Sequence, residues 1–442
     1  MFGDIGLPLG FTTADLGVVP QGWEVVRLKD VLTQRAEKVR IDSAGLYTRL
    51  GVRWYAEGPF VKEQVSGSSI KGDHLYKVEP SDFIYNRLFA WKGSFGVVPE
   101  SMRGCYVSGE FPVFQVDMGR VDPHYLWRRF SLPAVWKLVE DKSTGSTRTS
   151  RLRFKEEQLL SLLVPLPPLQ EQRAIAHMLR SVQQAKETTE RVIAATRELK
   201  QSLMRHLFTY GPVPVSEADR VPLKETEIGL VPERWEVANL GDLCQFLQYG
   251  TSERCHIEAA GMPVLRIPNV VSGEVTSDDL KYLNTSAEQV RALLLQDGDL
   301  LFVRTNASRE RTGTCAMYRD KPRQALFASY LIRARLRTDE ALPAYIRHYS
   351  ATPQGRGYLS GRASSAADGK FNINTQTIRG VMLPLPPLRE QREVIRILDA
   401  VGQKSAADEK RQLALGRLFQ SMLDNLMTGK VRVGDITQGE VA

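Results

Sequence analysis

The sequence is short of the features that mark a membrane protein, a disulfide scaffold or a self-contained enzyme. It has no run of 18 or more apolar residues, so no segment is built to span a bilayer. Met1–Gly10 contain Asp4 and neither Lys nor Arg, which does not fit a secretory signal. Cysteine is scarce. Cys105, Cys244, Cys255 and Cys315 form no Cys-x-x-Cys pair, and a reduced, cytoplasmic setting is expected. Cys244, Cys255 and His256 lie near one another, but no second Cys/His cluster completes a ligand set, so no metal site is expected. The histidines are scattered, with neither triad nor metal spacing.

Catalytic motifs are missing as well. An amino-methyltransferase needs an Asn/Asp-Pro-Pro-Tyr/Phe pocket for its target base, and none occurs. There is no Gly-x-Gly-x-x-Gly loop and no Gly-x-x-x-x-Gly-Lys-Ser/Thr cradle, which argues against a motor ATPase. The acid–acid–Lys groups Asp408-Glu409-Lys410 and Glu140-Asp141-Lys142 are the nearest thing to nuclease chemistry. The first reads as a solvated helix face. The second precedes a basic loop with no suitable upstream acid. No catalytic residue is assigned.

What the chain does have is length, ordinary globular composition and positive charge. Its 442 residues suffice for several folding units with real cores. A formal net charge of +8 favours a polyanionic partner, because each neutralised phosphate releases counterions.

The chain is also written twice, and repeats decide a fold before anything else does. Asp15-Leu-Gly-Val-Val-Pro-Gln-Gly-Trp-Glu-Val-Val-Arg-Leu28 returns as Glu227-Ile-Gly-Leu-Val-Pro-Glu-Arg-Trp-Glu-Val-Ala-Asn-Leu240. Val164-Pro-Leu-Pro-Pro-Leu-Gln-Glu-Gln-Arg173 returns as Leu383-Pro-Leu-Pro-Pro-Leu-Arg-Glu-Gln-Arg392. Between these anchors the copies diverge, and the second is longer by about seven residues. Asp82-Phe-Ile-Tyr-Asn-Arg87 still resembles Asp299-Leu-Leu-Phe-Val-Arg304, with Gly96 and Gly313 as following glycines. Pro123-His-Tyr-Leu126 resembles Pro343-Ala-Tyr-Ile346. A shared frame with unlike interiors implies two modules of one fold that meet different ligands.

A long helical pattern follows each Pro-Leu-Pro-Pro-Leu. Apolar residues recur at three- and four-residue steps, and Ile175, Leu179, Val182, Leu199, Leu203, Val394, Leu398, Val401, Leu418 and Met422 are predicted to pair the two helices. Each would run for about 38–40 residues, or about 57–60 Å. A helix of that length cannot bury its stripe in one small domain, and its own repeat is the natural partner. The stripe weakens at Lys186–Thr189 and Ser405–Asp408. Packed antiparallel, two such helices form a ruler between two unlike readers on DNA. It would cover at most about 17–18 base pairs.

The predicted class is α+β. Two similar mixed α/β domains are separated by two long antiparallel coiled-coil-like helices, as a pseudo-two-fold internal repeat. The expected boundaries are a first domain at 1–165, a helix at 166–209, a linker at 210–226, a second domain at 227–384, a helix at 385–428 and a tail at 429–442. Ser81–Phe89 and Leu300–Arg304 read as strands, and Ser286–Leu295 and Ala344–Tyr349 as helical. Trp23 and Trp235 read as packing residues at each module's entry.

This frame resembles the specificity subunit of type I restriction–modification enzymes. The resemblance rests on the Trp-Glu-Val entries at Trp23 and Trp235, the two Pro-Leu-Pro-Pro-Leu-x-Glu-Gln-Arg blocks, and the helix exits ending at Thr209 and Lys430. Tyr210-Gly211 replaces Gly-Lys at the first exit. The resemblance implies two target-recognition domains that each read one half of a split DNA site, and helices that set the gap. It implies two modification subunits with adenine methyltransferase activity and motor–nuclease restriction subunits as partners. S-adenosylmethionine, ATP and Mg are expected on those partners, with no cofactor on this chain. A DNA-associated scaffold whose helices recruit proteins without reading sequence is the alternative.

The best candidates for DNA contact are two equivalent loops that follow predicted strands. The first offers Arg87, Trp91, Lys92 and Ser94; the second offers Arg304, Asn306, Ser308, Arg309 and Arg311. Arginine pairs bidentately with guanine and asparagine with adenine. A hairpin turn with solvated charges is the plainer reading. A second pair of loops, rich in small, hydroxyl-bearing and basic residues, offers Arg148 and Arg151, then Arg362 and Lys370. Tyr47–Trp54 and Arg266–Asn269 are weaker candidates. Deleting about one turn from both long helices is expected to shorten the gap in the recognised motif and leave both half-sites intact, as read by methylation sequencing; altered half-sites would refute the ruler.

Overall fold

The computed structural model describes residues 11–14, 17–145, 152–257, 261–286, 288 and 290–434. The chain forms two compact units, 1–190 with 410–442, and 191–409. Each takes part of both long helices, Leu169–Tyr210 and Leu388–Met427.

In the first unit, the entry strand Glu24–Arg27 pairs antiparallel with the exit strand Leu163–Leu166, placing Val25 opposite Pro165. The two sequence anchors thus close the domain on itself. An antiparallel sheet follows the order Phe95–Val97, Phe83–Tyr85, Val113–Val116, Leu32–Gln34. Proline cannot donate to a ladder, which suits Pro165 to a two-stranded pair. A second sheet holds Lys38–Arg40, His74–Lys77, Tyr106–Val107, Leu46–Arg53 and Gly58–Ser66, with Tyr106 parallel to Arg49. Helices Pro123–Arg129 and Pro133–Lys142 begin on prolines, where a missing N–H costs nothing.

The second unit repeats this plan. Entry strand Glu236–Asn239 pairs with exit strand Met382–Leu385, and Val237 faces Pro384. Its main sheet runs Cys244–Tyr249, Leu331–Leu336, Leu300–Val303, Cys315–Met317, the same strand order as in the first unit. A smaller sheet again contains one parallel pairing, Val264 with Leu326. Helices Pro343–Ser350 and Pro353–Gly361 match the first pair.

Both cores include helix residues. In the first unit, Ile175, Ala176 and Leu179 share a buried cluster with Leu423, Leu426 and Met427. In the second, Met204, Leu207 and Phe208 share one with Val394 and Leu398. The start of one helix therefore packs with the end of the other, so the helices run antiparallel. Val182, Leu203, Val401 and Met422 are half-buried. Two predicted pairing residues lie outside both buried clusters: Leu199 is 51% exposed and Leu418 is 47% exposed.

Three other local expectations change. Among the described residues of 286–295 the regular element is the 3-10 segment Arg291–Leu293, in place of the expected helix. The predicted linker contains a 3-10 turn, Val215–Arg220, and a strand, Leu223–Thr226, that pairs with Gly229–Pro232. The strand within Ser81–Phe89 is confined to Phe83–Tyr85, because Asn86 already turns: its side chain accepts from the Leu88 N–H.

The repeated Glu-Gln-Arg block supplies the joint between domain and helix. Gln172 accepts from the Asp122 N–H at 2.9 Å and donates to the carbonyls of Arg120 at 3.0 Å and Pro167 at 2.9 Å. Gln391 does the same with the Leu342 N–H at 2.8 Å, Glu340 at 3.0 Å and Pro386 at 2.9 Å. Tyr125 and Tyr345 add hydroxyl bonds to the Pro165 and Pro384 carbonyls. Glu390 receives Arg234 and the Trp235 indole, and Glu171 receives Arg432. Gln391 is fully buried, so water cannot replace its amide. Gln391→Ala is expected to cost about 2–4 kcal/mol of stability, since it strands buried backbone groups; chemical denaturation measures this, and a loss below about 0.5 kcal/mol would refute the joint.

Candidate nucleic-acid interface

The two main candidate loops sit at one place in the repeated sheet. Each begins just past the strand that follows Asp82 or Asp299, Phe83–Tyr85 or Leu300–Val303, at Arg87 or Arg304. The Arg87 N–H donates to the Glu110 carbonyl and its guanidinium Nη1 to the Gly109 carbonyl. The Arg304 N–H donates to Tyr330 and its Nη1 to Ser329, at 3.2 Å. Both pairs of acceptors lie in the turn that leads into the neighbouring strand, Val113–Val116 or Leu331–Leu336, which makes these contacts equivalent.

The glycine correspondence shifts. Gly93 and Gly313, with φ of +74° and +80°, follow the 3-10 turns Ala90–Lys92 and Arg309–Arg311, and each stands two residues before the strand residue, Phe95 or Cys315, that pairs with Tyr85 or Phe302. Gly93 is thus the counterpart of Gly313, and Gly96 lies inside the next strand, opposite Ile84. A side chain at Gly93 would also collide with the Trp136 ring. The second loop is the longer by three residues, so equal spacing from the arginine picked the wrong glycine.

In the first loop, Arg87 is engaged: its Nε and Nη2 grip the Glu156 carboxylate. Burial pushes that carboxyl up, but the bond and charge of Arg87 outweigh it and hold it below the ordinary range. Ser94 does not face solvent. It is fully buried and bonds to the Val52 carbonyl at 2.8 Å. Trp91 is half-buried, with its indole on the Leu88 carbonyl. Lys92 lies 3.9 Å from the centre of the Trp54 ring.

The second loop is more open. The Arg304 guanidinium lies 4.8 Å from the Tyr249 ring. Asn306 caps its own turn by accepting from the Ser308 N–H, and Arg309 reaches the Ala363 carbonyl. Arg311 is exposed. Strand pairing joins this loop to the other candidate segment: Thr305 faces Asn372, and Asn372 faces Ser364. Arg362 stacks 3.8 Å from the Tyr358 ring, and Lys370 pairs with Asp368 at 2.8 Å. In the first unit, Arg148 and Arg151 lie outside the described residues. Their flanks close a similar bridge, Thr144 to Arg153.

Trp54 lies in a segment ranked as a weaker candidate, and Tyr55, Tyr249 and Tyr330 are the aromatic residues beside these loops that the sequence did not single out. Trp54 and Tyr55 crown the hairpin of Leu46–Arg53 and Gly58–Ser66 at 40% and 62% exposure. Tyr55 and Ala56 have φ of +58° and +55°, and their N–H groups are held by the Lys92 and Gly93 carbonyls. Tyr249 and Tyr330 flank Arg304 in the second unit. Tyr47 and Arg266 are spoken for: Tyr47 is buried, and Arg266 bonds Asp279 at 2.9 Å. Trp23 and Trp235 are buried, as packing residues are.

A family model described as type I restriction modification DNA specificity domain matches residues 20–196 and again 232–415. The chain belongs to this family. It is 30% identical over 275 residues to the type I restriction enzyme EcoKI specificity subunit of Escherichia coli K12, covering 61% of this chain and 57% of that one. It is 24% identical to the putative type I restriction enzyme MjaX specificity subunit of Methanocaldococcus jannaschii, over 96% of this chain and 97% of that one. In fold it is similar to a type I restriction–modification S subunit from M. genitalium, with a TM-score of 0.58, 12% identity and coverage of 96% and 99%. The role that goes with the family is DNA sequence specificity, without catalysis, and its partners are DNA and the other subunits of a restriction–modification complex. Among the described residues no helix is long and apolar enough to cross a membrane.

Glu156→Gln is expected to lower stability by about 1–3 kcal/mol at neutral pH, because Arg87 loses its charged partner. The Glu156 carboxyl is depressed in the folded state, so its contribution is full above its ordinary value of 4.5 and fades as pH falls below that. Denaturation curves of the two proteins should therefore converge in acid; a constant difference would refute the pairing.

Proposed function

We propose that this chain is the DNA-reading subunit of a type I restriction–modification complex, with each domain reading one part of a bipartite site. One observation carries the reading: the two domains share strand order, entry–exit pairing and glutamine joint, yet differ in the loops mounted on that frame. A frame kept while its loops diverge suits two unlike half-sites.

The long helices would carry two modification subunits with adenine methyltransferase activity, and motor–nuclease subunits would join them. Apolar residues left outside the cores support a protein partner there. Val192 and Leu199, and separately Leu413 and Leu418, are 37%, 51%, 65% and 47% exposed. S-adenosylmethionine, ATP and Mg would be held by those partners. The complex would work in the cytoplasm, where its DNA is.

Co-expression with the modification subunit, followed by co-purification and methylome sequencing, tests this. The expected result is a stable complex that methylates adenine in a two-part motif. Copurification without any motif would leave only a scaffold.

A further inference from the structure

We propose that Arg304 reads a guanine in the second domain's part of the target, and that Arg87, its counterpart in the first domain, reads no base. The inference rests on the DNA-reading function proposed above and divides that work unequally between two matched positions.

The arginines share a mount. Each donates its backbone N–H and Nη1 to successive carbonyls in the turn before the adjacent strand, Glu110 and Gly109 or Tyr330 and Ser329. Each accepts at its own carbonyl from the next returning segment, the Phe154 N–H or the Ile373 N–H. Two residues beyond those donors stand Glu156 and Thr375, so these occupy matching places.

The difference lies in what meets the guanidinium. In the first domain Glu156 takes Nε and Nη2 while Gly109 takes Nη1. Each of its three nitrogens carries a bond, and both side chains are three-quarters or more covered. Freeing Arg87 for DNA would leave Glu156 uncompensated and partly buried, which costs more than a base contact returns.

In the second domain Thr375 brings no charge. Its backbone N–H donates to the Tyr249 hydroxyl at 3.3 Å. That ring lies under the Arg304 guanidinium, while Nη1 is fixed on Ser329. Among the described residues no carboxylate pairs with Arg304. A planar fork stacked on one face and pinned at one nitrogen is pre-organised, with its remaining N–H groups open to an in-plane bidentate acceptor. Guanine O6 and N7 form such an acceptor in the major groove. The exposed Arg309 and Arg311 on the same loop suit phosphate instead.

Binding-site selection from a random duplex library, using the full chain, separates the outcomes. Wild type is expected to enrich a two-part motif. Arg304→Ala should lose about tenfold or more discrimination at one guanine in one part only. Thr375→Glu should do the same, because it places a carboxylate where Glu156 stands in the other domain. It keeps Arg304 and its Ser329 bond, so it reports even where Arg304→Ala unfolds. Arg87→Ala should keep every base preference and differ from wild type only in melting temperature. Unchanged preferences in both Arg304→Ala and Thr375→Glu would overturn the proposal. So would weakening that is uniform across sequences with a reduced salt slope, which is a phosphate contact. A base position relaxed by Arg87→Ala would overturn it too. A wild-type protein that enriches no motif would overturn the DNA-reading function itself.

Discussion

Each domain hangs on one buried glutamine. Gln172 and Gln391 each accept one backbone N–H and donate to two carbonyls, and those groups belong to the turn before a helix and to the proline segment that precedes the long helix. Only a primary amide combines that acceptor with two donors at one site. A glutamate would face two carbonyls with nothing to give them. An apolar residue would leave all three groups unpaired away from water, where each costs about 1–3 kcal/mol. The glutamine therefore fixes three chain segments at once, and the exit strand and its tyrosine partner follow from that placement.

Many of the contacts made by this frame end on a backbone atom. Gln172, Tyr125 and the arginines at the loop origins all bond to carbonyls, and Asp82 and Asp299 each accept a backbone N–H, from Glu79 and Gln296. Backbone acceptors persist whatever side chain the residue carries. A domain held this way tolerates wide change in its loops without losing its mounting, and that separation of mounting from contact is what a family of sequence readers needs.

The same property explains what could be read from the sequence. The anchors were legible because their side chains do the bonding and so recur: Trp235, the Pro-Leu-Pro-Pro-Leu block and the helices behind it. Strands at Phe83–Tyr85 and Leu300–Val303 were legible as apolar runs. Loop geometry was not. Gly96 was matched to Gly313 by counting from an arginine, yet the left-handed closing residue is Gly93, three positions earlier. Counting cannot see an insertion inside a turn. Ser94 looked like a polar loop residue and is fully buried, satisfied by the Val52 carbonyl. Arg87 looked free because Glu156 lies 69 residues away in sequence. Leu199 and Leu418 fitted a continuous stripe, and periodicity does not say where the covering domains stop.

Fusing two copies in one chain gives a freedom that a symmetric dimer lacks. In a homodimer every substitution appears in both subunits, so both half-sites change together. Here Glu156 neutralises one mounted arginine while Thr375 leaves the other to stack on Tyr249. The backbone contacts that hold the two arginines are alike, so the difference costs the frame nothing. A single carboxylate placed on a segment outside the sheet is enough to remove a cation from a surface without removing the cation's packing. Charge at a matched position, more than the presence of an arginine, is therefore what distinguishes the two faces, and a net charge of +8 over the chain says little about which of them meets DNA through which residue.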